Sequence, residues 1–596
     1  MTHIPEHYFS AQDLVNFTQV LLRTHRDTPQ QVCLRLLSSH GQELSLTYEE
    51  LLQRSLRYTH ALKKQGVEND EVVIIILPHG VDLVASFFGT ILHGAIPSIM
   101  PYLTEKLQAE QYRSSLQALF AITRPAGVIT YADFEEQVRI AGAGGSVRAV
   151  LVAEEIHTSE LGEIQADTLT SRGLKGHTRP PSSIVLLQHS SGTTGLQKGV
   201  ALSHAAVFNQ LESYSQALRL DSRDVIVSWL PLYHDMGLIA GFILPLLLRI
   251  PLVLLSPFDW VRAPQRLFHA IHSFRGTLCW LPNFAFNFCT QKIRDRDLEM
   301  LDLSCLRAVI NCSEPMHWKS FEIFYEKFYP YGLRAQSLSA SYAMAENVFA
   351  VTQAGIEDRV TVDTIDRQAF MSAQQALPVP KPTNETTGEA VPVLKMLSAG
   401  RPIAGTRIRI LSSDGQDLPD RRIGEIALQS NCLLTGYYHR PDLTEKAFID
   451  GWYLTGDLGY LADGELFITG RKKDLIIVGG KNIYPQDIEN LAGEVDGIHP
   501  GRIVAFGVFN EDIGTEDIVL IAEIDDDVDG TNTSIVEHQQ MDRERIAREI
   551  RQRVTQGSEV ALRQVYLVKR NWLIKTSSGK IARSTNKAKY LDEIGI

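Results

Sequence analysis

The sequence contains little cysteine. Only six cysteines occur in 596 residues, and no two of them form a Cys-x-x-Cys pair. Such a number and spacing supply neither a disulfide framework nor the usual ligand pattern of a structural zinc site. The scarcity therefore excludes a small secreted disulfide scaffold and favours a reducing compartment, so we expect a cytoplasmic protein.

The sequence also lacks an excess of positive charge. Lys and Arg number 58 against 70 Asp and Glu, which gives a formal net charge of -12 at pH 7. Nucleic-acid phosphates and anionic lipid surfaces repel a protein of this charge. We therefore expect no general nucleic-acid binding.

No hydrophobic run is long enough to cross a membrane. The most apolar stretch, residues 236–258, is interrupted by Pro245, Arg249 and Pro251, whereas a spanning helix needs about 20 predominantly apolar residues. Residues 1–9 lack the basic and then apolar pattern of a signal peptide. We expect residues 236–258 to be buried core and the protein to make no stable membrane insertion.

What is present is an alternation of helical and extended periodicity. Thr47 and Glu50 match a capping box, and the apolar stripe that follows ends at Gly66. Residues 72–77 form a continuous apolar run typical of a buried strand, and the next helical stripe ends at Gly94. This order predicts an α/β fold with a mostly parallel sheet covered by helices.

The strongest chemical signal is a run of small and hydroxyl residues. It follows an apolar strand at residues 184–187 and precedes a helix for which Ser203 is a plausible N-cap. Such residues let backbone N–H groups converge on an anion, and a lysine within the run adds positive charge suited to pyrophosphate. The spacing is not that of the Walker motif. The run predicts a phosphate-binding loop made of Ser190, Ser191, Gly192, Thr193, Thr194, Gly195 and Lys198.

Five further motifs follow this loop in a fixed order. They are Trp-Leu-Pro-Leu-Tyr-His-Asp-Met-Gly at 229–237, Ser-Tyr-Ala-Met-Ala-Glu at 341–346, Tyr-Leu-Thr-Gly-Asp at 453–457, Gly-Arg-Lys-Lys-Asp at 470–474 and Thr-Ser-Ser-Gly-Lys-Ile at 576–581. The series resembles the adenylate-forming superfamily of acyl-CoA synthetases, adenylation domains and luciferases. The resemblance implies a large N-terminal α/β domain with parallel-sheet subdomains, residues 1–472, and a small hinged α+β C-terminal domain, residues 473–596.

Within the superfamily the sequence looks most like the fatty acyl-AMP ligases. The motif at 229–237 and the segment Gly-Lys-Asn-Ile-Tyr-Pro-Gln-Asp-Ile-Glu at 480–489 resemble that group. The interval from Tyr342 to Gly424 spans 82 positions, longer than the superfamily core requires. The excess resembles an insertion that hinders the domain movement needed for CoA ligation, and a long solvated loop is the alternative.

The resemblance implies ATP and Mg²⁺ as cofactors and assigns residues to them. The loop from Ser191 to Lys198 would hold the β- and γ-phosphates, and Thr193 with Glu346 would place Mg²⁺. Asp457 would accept the ribose hydroxyls, with Arg471 supporting the ribose or a phosphate. The adenine side would comprise Asn311, Ser313, Glu314, Pro315, Ser341 and Tyr342, with the tyrosine stacked on the base.

Three residues are candidates for catalysis. Lys580 matches the family lysine that bridges the carboxylate and the α-phosphate, where a flexible ammonium can follow developing charge. His234 would lie beside the substrate carboxylate, and Glu346 would act at the Mg²⁺ site. Ala343 departs from the family pattern, because a glycine usually stands there, and its methyl group narrows the site near the adenine or the acyl group.

These motifs predict ATP-dependent conversion of a carboxylic acid, a fatty acid by resemblance, into acyl-AMP with release of pyrophosphate. The acyl group would then pass to the phosphopantetheine of a carrier protein. An acyl-CoA ligase, a stand-alone loader of short, amino or hydroxy acids and a catalytically inactive adenylate-binding regulator are the alternatives. The full set of Lys198, Glu346, Asp457 and Lys580 argues against the inactive regulator.

The C-terminal charge bears on the acceptor. Residues 530–596 carry thirteen basic and seven acidic residues, with Arg543, Arg545, Arg548 and Arg551 close together. Two interpretations are open: a solvated helix face, since Ile546, Ile550 and Val554 form an apolar stripe, or a docking patch for an acidic carrier protein. Residues 378–392 and 525–540 are predicted to be loops.

Overall fold

The computed structural model describes residues 15–38, 43–102, 109–158, 173–190, 198–380, 392–478, 481–511, 513, 515–524, 533–558, 560–576 and 580–594. The strands are β1 (Val32–Leu37), β2 (Glu43–Thr47), β3 (Val72–Ile75), β4 (Ile96–Ile99), β5 (Gly127–Thr130), β6 (Ala149–Val152), β7 (Ile184–Ser190), β8 (Lys198–Ser203), β9 (Ile226–Ser228), β10 (Leu252–Leu255), β11 (Leu278–Leu281), β12 (Ala308–Asn311), β13 (Leu338–Ala340), β14 (Thr352–Gln353), β15 (Val362–Asp366), β16 (Val393–Leu397), β17 (Arg401–Pro402), β18 (Thr406–Leu411), β19 (Gly424–Ser430), β20 (Gly436–Tyr437), β21 (Phe448–Ile449), β22 (Trp452–Ala462), β23 (Glu465–Arg471), β24 (Ile476–Val478), β25 (Lys481–Ile483), β26 (Ile498–Asn510), β27 (Thr515–Ile524) and β28 (Gln564–Val568).

The α-helices connect and cover these strands. They are α1 (Phe17–Asp27), α2 (Tyr48–Lys64), α3 (Val81–His93), α4 (Ala109–Thr123), α5 (Glu135–Gly142), α6 (Ala153–Thr158), α7 (His204–Ala217), α8 (Leu244–Leu247), α9 (Pro257–Arg262), α10 (Gln265–Phe274), α11 (Asn283–Lys292), α12 (Trp318–Phe328), α13 (Arg367–Ala373), α14 (Pro441–Lys446), α15 (Pro485–Gly493), α16 (Thr533–Ser558) and α17 (Arg583–Glu593).

Two sheets of the N-terminal part are parallel, as the alternating pattern predicts. The larger sheet has the order β13-β12-β11-β9-β10-β1-β2, and only β2, at its edge, runs antiparallel to its neighbour. The smaller sheet, β4-β3-β5-β6, is parallel throughout. The predicted α/β class is therefore confirmed.

The local helix and strand signals are also confirmed. The side chain of Thr47 accepts a hydrogen bond from the backbone N–H of Glu50 and closes the capping box of α2. Helix α3 ends at Gly94, whose φ of 93° lies in the left-handed region that a glycine adopts without strain. The apolar run predicted as a strand contains β3, which is fully buried.

The apolar stretch at 236–258 packs inside the protein, as expected. It contains a π-helix over Met236–Ile243, then α8 and β10, all of them buried. In the part of the chain that the structure describes, no helix combines the length and the apolar character that crossing a bilayer requires.

The C-terminal residues form their own layered unit. A three-stranded sheet, β26-β27-β28, packs on α15 and α16 around an apolar cluster that includes Ile488, Leu520 and Ile550. The predicted stripe of Ile546, Ile550 and Val554 is buried in α16. The domain boundary at residue 473 stays a prediction.

One loop prediction needs correction, and one alternative left open by the sequence can be revised. Helix α16 begins at Thr533, so the loop predicted for residues 525–540 is wrong from residue 533 onward; residues 525–532 lie outside the described residues. The buried stripe of α16 stabilises its later turns. Each residue added at the N-terminal end of an existing helix gains one hydrogen bond without a new nucleation step, so the helix extends into this polar segment.

The excess chain after Tyr342 contains an antiparallel β15–β16 pair with α13 between the strands, so it is not simply a solvated loop. Residues 381–391 of the other predicted loop lie outside the described residues.

Candidate active site

The predicted site residues meet at one edge of the larger sheet. The segment carrying His234 follows β9, Asn311 is the last residue of β12, and Tyr342 lies just after β13. These strands are parallel, so their carboxyl ends face the same side of the sheet. Ligands of open α/β sheets bind outside this edge.

The phosphate loop is held by a β-hairpin. Strands β7 and β8 are antiparallel, and Ser190 pairs with Lys198 across the two ends of the loop. Ser191, Gly192, Thr193, Thr194 and Gly195 lie outside the described residues. The Lys198 ammonium lies 4.9 Å from the centre of the Tyr437 ring, because β20 pairs with β8.

Glu346 lies in a low-polarity environment next to this lysine. The hydroxyl of Tyr437 donates a hydrogen bond of 3.0 Å to Glu346 Oε1, and a second hydroxyl, that of Tyr453, lies 3.0 Å from the first. Burial raises the pKa of Glu346, although the Tyr437 hydrogen bond and the Lys198 charge act in the opposite direction. A cation would relieve this unfavourable burial.

The arrangement around Glu346 fits a magnesium ion. Mg²⁺ is commonly bound through one or two carboxylates together with substrate phosphates rather than by a complete protein cage. Within the described ranges, no cluster of three or more His, Cys, Asp or Glu side chains forms such a cage. Glu346, a half-buried carboxylate on which the Lys198 charge acts, has the donor chemistry for a site with one or two carboxylates.

The backbone after Glu346 is strained. Val348 is fully buried and has φ 62° and ψ -56°, a classic γ-turn conformation that is rare for a β-branched residue. Strain of this kind persists only where the surrounding structure enforces it, and it clusters at functional sites. The turn fixes the direction from which Glu346 enters the site.

Asp457 is the centre of a second polar group. The hydroxyl of Tyr342 donates to Asp457 Oδ2 over 2.6 Å, and Arg471 Nε lies 3.2 Å from Oδ1. Asp457 and Arg471 face each other in the register of β22 and β23. The Asp457 charge raises the pKa of Arg471. Burial raises the pKa of Tyr342, and the Asp457 charge raises it further. Each carboxylate oxygen retains a lone pair that can accept a hydroxyl.

The adenine-side segment follows β12. Asn311 is buried, and its amide nitrogen donates to Asn283 Oδ1 over 3.0 Å, while its own Oδ1 has no hydrogen-bond partner in the described structure. That oxygen can accept from an amino group such as the one on adenine. Ser313 has a positive φ of 69°, and Glu314 Oε2 accepts the N–H of Phe284 over 2.9 Å.

Two of the residues predicted for the adenine side, Pro315 and Ser341, offer no side-chain donor or acceptor to a ligand. Pro315 continues the loop toward α12. The Ser341 hydroxyl donates to the carbonyl of Thr352 over 2.7 Å, inside the core. Ser341 therefore holds the backbone next to Tyr342.

The C-terminal segment brings the Lys580 charge within electrostatic range of Asp235, the neighbour of His234. His234 Nδ1 lies 2.5 Å from Asp235 Oδ1. Burial raises the pKa of Asp235, but His234 and then Lys580 outweigh it, so the pKa is lowered overall. Lys580, 345 positions away in the sequence, therefore acts electrostatically on Asp235.

A short hairpin presents Lys580. The backbone N–H of Thr576 donates to the carbonyl of Lys580 over 2.7 Å, and the N–H of Lys580 donates to Thr576 Oγ1 over 3.2 Å. Residues 577–579, between them, lie outside the described residues. The hairpin holds the backbone of Lys580 and leaves its long side chain to reach the site.

The sequence analysis did not single out Tyr437 or Asn283, and it included Tyr453 only as the first residue of the motif at 453–457. All three act through contacts between distant segments: Tyr437 reaches Glu346 across 91 positions, and Asn283 reaches Asn311 across 28. No local periodicity marks such residues. The pairing of β20 with β8 decides the position of Tyr437.

Comparison with known proteins gives consistent results. The family described as "AMP-binding enzyme" matches residues 21–438. The chain is 28% identical to the medium-chain-fatty-acid–[acyl-carrier-protein] ligase JamA of Moorena producens, over 96% of this chain and 94% of that protein. It is 30% identical to a 4-hydroxyphenylalkanoate adenylyltransferase of Mycobacterium marinum, over 92% and 86%. A solved structure of fatty acyl-adenylate ligases, from a study of the Escherichia coli and Legionella pneumophila enzymes, aligns with a TM-score of 0.85 and 26% identity, over 98% of each chain.

Proposed function

Because this chain belongs to the AMP-binding enzyme family of adenylate-forming ligases, we propose that it activates a carboxylic acid with ATP and passes the acyl group to a carrier protein. The observation that carries this proposal is the contact of His234 Nδ1 with Asp235 Oδ1 over 2.5 Å, at a carboxylate whose pKa the Lys580 charge lowers. His234 follows β9 at the same edge of the larger sheet as Tyr342, which donates to Asp457.

The chemistry follows from where charge develops. A carboxylate oxygen attacks the α-phosphorus of ATP, a new O–P bond forms, and the bond to the pyrophosphate breaks. The protein forms no covalent bond, so it acts by positioning the reactants and stabilising charge. Lys580 balances the charge on the reacting oxygens, while His234 positions the carboxylate.

The remaining residues bind the nucleotide. Asp457 accepts the ribose hydroxyls, with Tyr342 and Arg471 fixing its orientation. Lys198 and the loop before it bind the phosphates. Glu346, together with Thr193, would hold Mg²⁺, which when bound neutralises phosphate charge.

The acceptor is proposed from contacts between the excess chain and the C-terminal residues. In α13, Arg367 donates through Nη1 to the carbonyl of Gly557, and the Phe370 ring lies 5.5 Å from that of Tyr484. Met371 packs against the C-terminal apolar cluster. We place a hinge near Lys473. In this proposal the contacts hold the C-terminal residues in the orientation that directs Lys580 toward the substrate carboxylate. They therefore support slow use of CoA and transfer to a carrier protein.

The names of the relatives support a carrier protein as the acyl acceptor, but they do not agree on which carboxylic acid is activated. JamA is named for an acyl carrier protein, and the two relatives are named for different acids. We propose a fatty or related acid as the substrate. All six cysteines are free and five of them are buried, which fits a reducing cytosol.

Pyrophosphate release tests the first half of the proposal. The purified protein, with ATP and Mg²⁺, is assayed against a panel of straight-chain, aryl and amino acids. Release with at least one acid supports the function, and release with none overturns it.

The second half needs an acceptor assay. The best acid is offered with CoA or with a holo carrier protein, and thioester formation is followed by mass spectrometry. We expect the carrier to be acylated and CoA to react slowly. Rapid formation of acyl-CoA would establish an acyl-CoA ligase instead. The double variant R367A/M371A should raise the rate with CoA, and R422A, whose side chain donates to the carbonyl of Ala373, is the matched control.

A further inference from the structure

One buried side chain joins the two ends of the hairpin that presents Lys580. Asn586, in α17, is fully buried. Its Oδ1 accepts the backbone N–H of Ile574 over 2.8 Å, and its Nδ2 donates to the carbonyls of Ile574 and Ala582, each over 2.9 Å. Ile574 lies six positions before Lys580 and Ala582 lies two positions after it. The amide therefore connects the incoming and the outgoing arm of the hairpin.

These contacts need the chemistry of an amide. Asn586 gives Ile574 both a donor and an acceptor, the pair of bonds that two facing residues of antiparallel strands exchange. The second N–H of the same group is left for Ala582. An asparagine side chain carries two N–H donors and one carbonyl acceptor, whereas an ionised aspartate has no donor and a hydroxyl has one.

Backbone pairing continues from the amide to Lys580 without a gap. In the first pair the N–H of Ala582 donates to the carbonyl of Ile574 over 3.0 Å. In the last pair the N–H of Thr576 donates to the carbonyl of Lys580 over 2.7 Å. A β-bridge between Lys575 and Ile581 lies between these two pairs. The position of the hairpin ends therefore sets the position of the Lys580 backbone.

Asn586 is itself held at a fixed place on the C-terminal sheet. Tyr590, one turn further along α17, is buried; its hydroxyl donates to Gln564 of β28 over 2.7 Å, and its ring lies 5.7 Å from that of Phe506 in β26. The buried Glu523 of β27 accepts the N–H of Leu573, the residue before the hairpin, over 2.7 Å. The hairpin is thus positioned relative to the sheet from both sides.

The placement of the hairpin matters because of what Lys580 has to do. Its ammonium lies at the end of a flexible stem of four carbons, so the backbone decides which oxygens the charge can reach. A catalytic group displaced by about 1 Å can lose on the order of 10² in rate. Supporting hydrogen bonds are what keep such a group within its productive range.

We propose that Asn586 is a positioning residue for acid activation: it fixes the hairpin so that the Lys580 ammonium reaches the reacting oxygens. Asn586 acts through Lys580 and contacts neither the acid nor ATP. The residue lies outside the motif series that ends at Ile581. This inference rests on the proposed acid activation and adds a residue on which its chemical step depends.

Asn586→Ala tests the proposal through separate measurement of kcat and KM. Pyrophosphate release is followed with the best acid of the panel. We expect kcat to fall about tenfold, while KM for ATP and for the acid stay within about threefold of wild type, because a group that serves only the chemical step changes kcat. Asn586→Asp, assayed at pH 8, keeps the acceptor for Ile574 and loses both donors, so its kcat should fall by at least about threefold.

A double variant separates positioning of Lys580 from general support of the fold. If Asn586 acts only through Lys580, K580A/N586A should form acyl-AMP within about twofold of the rate of K580A, measured in a single turnover by mass spectrometry. A loss of folded protein would lower the rate by the same factor in both backgrounds. N510A is the control, because the Asn510 amide donates to Asp517 over 2.8 Å; its kcat should equal that of wild type. Thermal unfolding shows whether each variant is folded.

The outcomes distinguish this inference from the proposed function. Wild-type kcat in N586A and N586D, or a raised KM with unchanged kcat, overturns the inference and leaves the proposed function intact. The same is true if N586A slows the K580A background by the factor seen in the wild-type background. If N586A does not fold, N586D and K580A/N586D decide by the same criteria. Absence of pyrophosphate release by the wild-type protein with every acid overturns the proposed function, and the inference with it.

Discussion

The hydroxyl of Tyr437 donates a hydrogen bond of 3.0 Å to Glu346 Oε1, while the ring of the same tyrosine lies under the Lys198 ammonium. One side chain thus contacts both the residue proposed for magnesium and the lysine proposed for phosphate. The contact lowers the pKa of Glu346 against the effect of burial. The hydrogen bond from Tyr437 therefore favours the ionised form of Glu346, which is the form that binds a cation.

Replacing Tyr437 by phenylalanine should therefore change the pH dependence of adenylation. Loss of the hydrogen bond raises the pKa of Glu346 further, so the acid limb of kcat/KM should move to higher pH. A hydrogen bond to a charged group contributes about 1.5–3 kcal/mol, and we expect kcat/KM to fall about tenfold on that limb. Pyrophosphate release measured from pH 5 to 9 checks this, with Y438F as the control. An acid limb in Y437F identical to wild type contradicts the role of Tyr437.

Lys580→Ala should abolish acyl-AMP formation while ATP still binds. The ammonium acts where charge develops in the transition state, and loss of such a group costs on the order of 10²–10³ in rate. Pyrophosphate release gives the rate and calorimetry gives the ATP affinity. Lys569→Ala, an exposed lysine of the same C-terminal region, is the control. A rate for K580A within a few-fold of wild type would remove Lys580 from the catalytic step.

Asp457→Asn should weaken ATP binding more than it slows the chemistry. Its contacts to ribose would be equal in the ground and transition states, and uniform binding of this kind changes KM rather than kcat. We expect KM for ATP to rise about 10- to 100-fold, from the loss of charge-assisted hydrogen bonds. Asp450→Asn, on an exposed turn before β22, should leave KM unchanged. Equal ATP affinity of D457N and wild type would show that the ribose binds elsewhere.

The free energy of unfolding should depend on pH through Asp487. Burial raises its pKa to about 6, with Glu489 raising it and Arg367 lowering it as smaller effects, against an ordinary value of 3.8. The folded state therefore favours the protonated form, so the contribution of Asp487 to stability is complete below about pH 4 and is lost as pH rises through about 6. The change is on the order of 2 kcal/mol.

Asp487→Asn keeps the side chain neutral and should flatten this dependence. Urea unfolding between pH 4 and 8 should show D487N more stable than wild type at pH 7 and similar to it near pH 4. Asp496→Asn, an exposed neighbour, should follow the wild-type curve. Parallel curves for D487N and wild type would contradict the raised pKa.

Charge reversal on α16 should slow acyl transfer and spare adenylation. Arg548 and Arg551 are exposed, and in the described structure neither forms an ion pair, whereas Arg545 pairs with Glu549. An acidic carrier protein would be steered by such charges, and salt would screen them over about 8–10 Å. R548E/R551E should reduce transfer about tenfold at low salt, with K63E/K64E on α2 as the control. Transfer equally fast in R548E/R551E at low salt would show that the carrier docks elsewhere.

Much of the fold was predictable because its signals are local. The capping box at Thr47 and the stop at Gly94 depend on residues within one or two helical turns, and both are present. The alternation of β and α elements likewise requires a parallel sheet. The loop prediction at 533–540 was wrong because polar composition alone does not reveal that a buried stripe further along stabilises the same helix.

The sequence by itself determined which residues are proposed for the chemistry. The order of motifs from Ser190 to Lys580 resembles that of adenylate-forming enzymes, and the resemblance implies a role for each motif. Only the tertiary structure decided how those residues are supported. The pairing of β20 with β8 brings Tyr437 to Glu346, and the side chain of Arg367 in α13 meets the carbonyl of Gly557, 190 positions away. The adjacent strands β9 and β10 bring Trp229 and Trp260 into one stack. The physical reason is that these contacts join residues tens to hundreds of positions apart, where neither helical nor strand periodicity carries information about which partner a side chain meets.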